Sequence, residues 1–379
     1  PNNYQIISKG RTLSNIKALS IFKAGSHNYW HIRFLNGKEY DYREKDLEII
    51  ESCLGESRSK SIFKYLKKVA DANELKADDG TKLLAKQYEK IHFIANNRAI
   101  AVYLNPQKYK MQPQTASTLI FPFGCNASQQ KAVQAAFENQ ISVVQGPPGT
   151  GKTSCALRYM VEEALTDPEA SLLLLSYTNR AVDEICSMLV DSGIAESTPF
   201  IRIGSELSCD RRFAPYLLKN SLADCPKLTD IQQKIAHTRI FTGTTTAINS
   251  RLHLFNLKHF TLAIIDEASQ ILEPDLVGIL SARHDRSNAI DKFILIGDYK
   301  QLPAIAQQEE EEARVDDPLL QSIGLNDCRN SLFERLYKQS KEDFRSILHK
   351  QGRMHPAISE FPNQTFYYRE QLEPVPLPH

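Results

Sequence analysis

Residues 141–153, ISVVQGPPGTGKT, restrict the fold of this chain more than any other stretch. Ile141, Val143 and Val144 form a short β-branched run that reads as a buried strand. Gly146 ends it, and Pro147, Pro148, Gly149, Thr150 and Gly151 make a turn. A helical pattern then runs from Lys152 through Thr153 and Ser154 to about Leu165. The spacing matches G-x-x-x-x-G-K-[ST], and each residue type answers a chemical need. Glycines let backbone N–H groups curl around phosphate oxygens where a Cβ would obstruct them. Lys152 supplies a cation at the β/γ-phosphates and Thr153 a hydroxyl for Mg²⁺, while the helix start turns its positive dipole end to the same anion. With a strand before it and a helix after it, the loop is expected to be a nucleotide site.

Apolar runs recur beyond the loop, each ending in polar residues: SLLLLS (171–176), RIFTGT (239–244), TLAIID (261–266) and FILIG (293–297). Helical patterns, such as 181–190, lie between most of them. Strands buried on both faces and alternating with helices indicate a parallel α/β sheet, whose functional groups gather at the carboxyl ends of the strands. Asp266 and Glu267 close one such strand, in LAIIDEASQ. Downstream of a phosphate loop this pair divides the work: Asp266 holds Mg²⁺, and Glu267 orients and deprotonates the attacking water. Gln301, in GDYKQLPA, is placed to touch the γ-phosphate or that water. Arg353, in LHKQGRMHPAISEF, is a candidate to stabilise charge on a transferring phosphoryl group from a neighbouring domain. Upstream, FPFGCNASQQKAVQAAF (121–137) predicts a helix capped by Ser128. Gln129, about twenty residues before the loop, carries an amide able to pair donor and acceptor with adenine.

Taken in order, GPPGTGKT, SYTNRAVDEI, TGTTTAI, IIDEASQ, GDYKQLPAI and QGRMHPAISEFPNQTFY resemble the motifs of superfamily 1 helicases. They are most similar to the 5′→3′ branch that includes the RNA-surveillance helicase and the DNA replication nuclease-helicase, and FPFGCNASQQKAV is similar to bacterial members. The resemblance runs from about residue 120 to the end. It implies a RecA-like P-loop parallel sheet with helices on both faces, hydrolysing ATP with Mg²⁺ to move along single-stranded DNA or RNA. It implies that Gln129 reads adenine, that Gly149, Gly151, Lys152 and Thr153 hold phosphates and Mg²⁺, and that Asp266 and Glu267 serve metal and water. Gln301 would sense the γ-phosphate and Arg353 would be the finger of a second RecA-like domain. Ser176, Thr178, Asn179, Thr242, Thr244 and Thr245 would face the nucleic-acid track, where short hydroxyl and amide groups suit sequence-blind phosphate contact. Loop and capping duty is the alternative for them. Only some twenty-five residues follow Arg353, so a fragment is expected that binds ATP–Mg²⁺ but hydrolyses it poorly. A P-loop switch or scaffold without translocation is the alternative function.

The 379 residues suffice for two or three domains. Expected boundaries are 1–56 (small β-rich domain), 57–118 (helical stalk and linker), 119–343 (first RecA-like domain, with an insertion at 205–237) and 344–379 (start of a second). In NYWHIRFLNGKEYDY (29–43), Asn36-Gly37 predicts a type I′ hairpin turn. Trp30, Tyr40 and Tyr42 would either stack on bases or form a small core. Residues 1–120 hold 20 Lys/Arg against 12 Asp/Glu, a balance fitting either a polyanion partner or a solvated helical surface. Residues 1–118 are also a candidate surface for a protein partner. No apolar run has membrane-spanning length. Seven dispersed cysteines without a C-x-x-C pair suggest reduced thiols and a cytoplasmic setting, with Cys155 as a small core residue. The acidic stretch 307–317 is expected to be a mobile surface loop.

Overall fold

The computed structural model describes residues 4–8, 11–13, 16–24, 27–51, 103, 125–139, 141–285, 287–306, 309–340 and 344–375. The helical stalk and linker expected over 57–118 lie, apart from Tyr103, outside the described residues. The chain divides into two compact units, Pro1–Lys86 and Gln87–His379.

Among the described residues the first unit holds six strands: β1 (Tyr4–Ser8), β2 (Arg11–Leu13), β3 (Ile16–Ala24), β4 (His27–Phe34), β5 (Glu39–Arg43) and β6 (Leu47–Glu51). They form two antiparallel sheets, ordered β2-β1-β6 and β3-β4-β5. The β4–β5 hairpin is where its alternation predicts it, but the turn differs. Only Gly37 has positive φ (80°), whereas a type I′ turn needs it at Asn36 as well. Phe34 O instead accepts from Gly37 N and Phe34 N donates to Lys38 O, which gives a longer loop with glycine in the bulge position. Trp30 and Tyr42 pack against a small core centred on Ile32 and Leu47, while Tyr40 is half exposed.

The second unit is built, among the described residues, on seven parallel strands: β7 (Ile141–Gln145), β8 (Leu172–Ser176), β9 (Phe200–Ile203), β10 (Ile240–Thr244), β11 (Phe260–Ile265), β14 (Ile290–Gly297) and β15 (Arg345–Ile347). A two-residue hairpin, β12 (Arg283–His284) and β13 (Ser287–Asn288), precedes β14, and β16 (Lys350–Gln351) pairs with β17 (Glu373–Pro374). The sheet order is β15-β7-β14-β11-β8-β10-β9. Leu172, Leu173, Leu174 and Leu175 have no exposed surface, because one core covers each face of the sheet. Burial of each such side chain stabilises the sheet by about 1.5–3 kcal/mol. Helices supply the covering: α1 (Ala127–Glu138), α2 (Arg158–Leu165), α3 (Asn179–Asp191), α4 (Leu228–His237), α5 (Glu273–Leu280) and α6 (Leu332–Gln339), whereas α7 (Pro356–Thr365) follows β16 and adds no side chain to either core.

Several details depart from expectation. The cap of α1 is Asn126 rather than Ser128, because Asn126 and Gln129 form a reciprocal capping box. Residues 205–237, expected as an inserted subdomain, fold as short 3₁₀ turns, a four-residue helix and α4, beside the edge strand β9. The boundary expected at 343/344 falls inside the second unit, since β15 adds to the same sheet by pairing with β7. The acidic stretch carries a helical turn at Glu310–Ala313, and residues 307–308 lie outside the described set.

Candidate nucleotide site

Sheet order assembles the site. β7, β14 and β11 are neighbours, so three segments far apart in sequence meet at one edge: Gly146–Thr153, Asp298–Gln301 and Asp266–Glu267. Gly149 and Gly151 adopt φ of 76° and 75°, a backbone region that L side chains rarely occupy. A Cβ on Gly149 would lie 2.5 Å from Arg353 Cβ, and Gly352 N donates to Gly149 O at 2.9 Å. The loop and the segment carrying Arg353 are therefore packed directly on one another. Lys152 to Leu157 form a wide, π-helical first turn that runs into α2, so the helix spans the predicted range.

Lys152 Nζ donates to Gly146 O at 2.8 Å and sits 3.8 Å from Glu267 Oε1. Thr153 Oγ1 donates to Asp266 Oδ2 at 2.5 Å, and Glu267 N donates to Asp266 Oδ1 at 2.9 Å. Burial raises the pKa of Asp266, against the Thr153 hydroxyl and the Lys152 ammonium, which favour its charged form. Burial likewise raises Glu267, opposed by Lys152 and assisted by repulsion from Asp266 and Asp298. Gln129 is buried: its Nε2 donates to Thr150 O (3.2 Å) and its Oε1 accepts from Asn126 N (3.1 Å). Its amide first ties the phosphate loop to α1, leaving one N–H and one lone pair for a base. Thr150 Oγ1 donates to Pro147 O at 2.7 Å and closes the turn.

These groups open onto a cavity of about 800 Å³, lined by Gln129, Pro148 to Cys155, Glu267, Gln301 and Arg353. Cys155, expected in the core, is a half-buried wall residue of this cavity and a free thiol. Gly146 and Pro147 act from beneath through their carbonyls, and Asp266 stands behind Thr153. Sequence reasoning missed Glu184 and Lys350, also on the wall, and the support beneath Gln301. That support is Asp298, which has no exposed surface. It accepts from Gln301 Nε2 (2.6 Å), Tyr367 OH (2.7 Å), Lys300 N (3.2 Å) and the Gln145 amide. The carboxylate only accepts, so Gln301 must turn its nitrogen toward it. Asp298 lies within the GDYKQLPA run, which was the available signal.

The nucleic-acid candidates divide. Ser176, Thr242 and Thr245 are buried: Ser176 Oγ donates to Asp266 O at 3.1 Å, and Thr242 Oγ1 has no hydrogen-bond partner. Thr244 is nearly buried and caps a short helix by accepting from Ala247 N. All four are withdrawn from solvent, Ser176 and Thr242 inside a sheet covered on both faces. Thr178 and Asn179 are exposed at the start of α3, with Thr178 also serving as its cap.

A phosphate loop after one strand, an Asp-Glu pair after another and a parallel sheet covered on both faces define a RecA-like P-loop nucleotide-binding domain. The AAA domain profile matches residues 124–238 and 228–309, and a second AAA domain profile matches 328–375. The chain is 32% identical over 242 residues to the DNA replication ATP-dependent helicase/nuclease JHS1 of Arabidopsis thaliana, covering 64% of this chain and 16% of that protein. It is 27% identical over 332 residues to the ATP-dependent helicase upf1 of Schizosaccharomyces pombe, covering 78% and 32%. The chain belongs to the superfamily 1 helicases, in the branch of these two relatives. It spans less than a third of the length of either. The UvsW helicase from bacteriophage T4 aligns with a TM-score of 0.36 and 14% identity over 77% of this chain and 82% of that one, a loose likeness on which the sheet order above does not depend.

Proposed function

We propose that the chain is the ATP-hydrolysing core of a helicase or translocase moving along single-stranded DNA or RNA. The observation that carries this reading is convergence: Lys152, Glu267, Gln301 and Arg353, from four separated segments, line one cavity. Lys152 binds the β/γ-phosphates, and its second neighbour, Glu267, takes a proton from the attacking water at a carboxylate oxygen. The raised pKa of Glu267 makes it a stronger base than an exposed glutamate. Gln301, with its nitrogen held by Asp298, offers its amide oxygen to a water hydrogen. Arg353 supplies positive charge as the phosphoryl group transfers.

The Thr153 hydroxyl and the Asp266 carboxylate, in direct contact, are hard oxygen donors of the kind Mg²⁺ takes. Among the described residues no group of three or more His, Cys, Asp or Glu could hold a metal. A cation here would rest on these two oxygens and the nucleotide's phosphates, where it would neutralise charge. Binding of a fluorescent ATP analogue and ATP turnover, each with and without single-stranded DNA and RNA, test the reading. Lys152→Ala should abolish binding, and Glu267→Gln should keep binding but lose turnover. Unchanged analogue affinity in Lys152→Ala would overturn it, and turnover indifferent to both strands would favour a nucleotide switch.

A further inference from the structure

A second cavity, about 820 Å³, adjoins the nucleotide site and shares none of its lining residues. Its wall carries Lys131 of α1, Lys338 of α6, Arg345 of β15 and Arg369, which follows α7, against a single carboxylate, Glu370. Glu370 is buried and already engaged by Lys300 Nζ at 2.6 Å. Solvated surface cations normally point apart, whereas these converge on one concavity, where a low-dielectric wall concentrates their field. Lys338 also pairs with Glu334, which lies outside the wall. Two of the cations also lie against the tyrosine rings of the wall. The Arg345 guanidinium lies 5.5 Å from the Tyr337 ring centroid, and Lys338 Nζ lies 5.5 Å from that of Tyr299. The wall therefore favours negative charge. Guanidinium forks match phosphate oxygens, and the volume suits a ligand of nucleotide size.

We propose that this cleft is a second anion site, taking the phosphate groups of a free polyphosphate or of a phosphodiester strand. The proposal goes beyond the ATPase reading, because none of its residues faces the nucleotide cavity. Alternate residues do link the two: Ser128 and His349 line this cleft, while the adjoining Gln129 and Lys350 line the other.

The test uses the 379-residue chain in a Lys152→Ala background, so that the phosphate loop does not dominate. The probes are sodium tripolyphosphate by calorimetry and a fluorescein-labelled single-stranded RNA by anisotropy across salt concentrations. Lys131→Gln with Arg369→Gln changes two exposed side chains, and Arg345→Gln is the second variant. The double variant should weaken at least one probe about tenfold, and for the strand should lower the log–log salt slope by about 1.4, at 0.7 per lost contact. Weakened tripolyphosphate binding identifies a free polyphosphate as the source, and weakening of the RNA alone identifies a strand. Either supports the site. If neither probe binds, or neither moves more than twofold in both variants, the proposal is overturned. Analogue binding by the chain with Lys152 intact, unaffected by Lys131→Gln and Arg369→Gln, reports separately on the ATPase reading.

Discussion

Tyr367→Phe deletes one oxygen from the buried network beneath Gln301. Tyr367 is 3% exposed and Asp298 0%, and their contact is a 2.7 Å hydrogen bond to a carboxylate. Such a bond contributes about 1.5–3 kcal/mol, and phenylalanine leaves no cavity. Asp298 keeps three donors in the variant, from Gln145, Gln301 and the Lys300 backbone, so no orphaned charge adds to the loss. The expected cost is at the low end, about 1.5–2 kcal/mol. Asp298→Asn is worse: an amide nitrogen at the Oδ1 position meets the Lys300 N–H, and one at the Oδ2 position forces the Gln301 amide to turn round, at a cost of about 2–3 kcal/mol. Urea unfolding followed by ellipticity at 222 nm suits this measurement, since the single Trp30 lies in the other unit. When Asp298→Asn is already in place, Tyr367→Phe should cost far less, giving a coupling of about 1 kcal/mol in a double-mutant cycle. A cost below about 0.5 kcal/mol for Tyr367→Phe alone, or zero coupling, would refute the network. Turnover in Asp298→Asn should fall more than nucleotide affinity, because Gln301 loses its orientation.

Gly149→Ala must strain a backbone at φ 76° and push Arg353 away, so it should lose about 1–3 kcal/mol of stability and most analogue binding. For Asp266 and Glu267 the folded pKa lies above the unfolded value. The folded state therefore holds extra protons, and their contribution to stability is greatest at low pH and falls as pH rises through the raised values. Asp266→Asn should accordingly gain on the parent chain as pH rises from about 4 to about 7 in urea titrations; a constant difference would contradict the sign. Thr242→Val removes a buried hydroxyl without a partner, and should stabilise by about 1 kcal/mol while leaving strand affinity unchanged. Thr178→Ala with Asn179→Ala should weaken strand binding, measured by anisotropy.

The phosphate loop was legible because its chemistry is contiguous: glycine, lysine and threonine at fixed spacing dictate the turn and the helix start. Asp266, Glu267, Gln301 and Arg353 were legible one by one, each at the end of an apolar run, and the structure brings all but the buried Asp266 to one cavity wall. Their meeting was not legible, because it depends on β14 entering between β7 and β11, which no local pattern encodes. The support at Asp298 was hidden for the same reason: Gln145 and Tyr367 lie 153 and 69 residues away. The Thr and Ser candidates were ambiguous for another reason. A hydroxyl at the end of a strand looks the same in sequence whether it faces solvent or bonds beneath the sheet edge, as Ser176 does to Asp266 O. The cap of α1 turned on competition between two good capping residues, which the reciprocal bond from Gln129 decided for Asn126.

Adjacent carboxylates with different duties pose a geometric problem that the backbone at Glu267 solves. In an extended chain successive side chains leave on opposite faces, so Asp266 and Glu267 could not both serve one cavity. Glu267 adopts φ 52° and ψ 34°, a left-handed conformation that costs a non-glycine residue about 1–2 kcal/mol. The turn sets the Glu267 carboxylate 3.8 Å from Lys152 Nζ while Asp266 stays behind, hydrogen-bonded to Thr153. Strain here is thus tied to the placement of the base. Glu267→Gly should relieve it and remove a carboxylate that burial disfavours, raising stability by about 1 kcal/mol or more, whereas Glu267→Gln removes the charge alone and keeps the strain. Both variants should bind the ATP analogue and neither should turn it over. If Glu267→Gly proves less stable than Glu267→Gln, the left-handed turn is not strained and the placement of the base needs another cause.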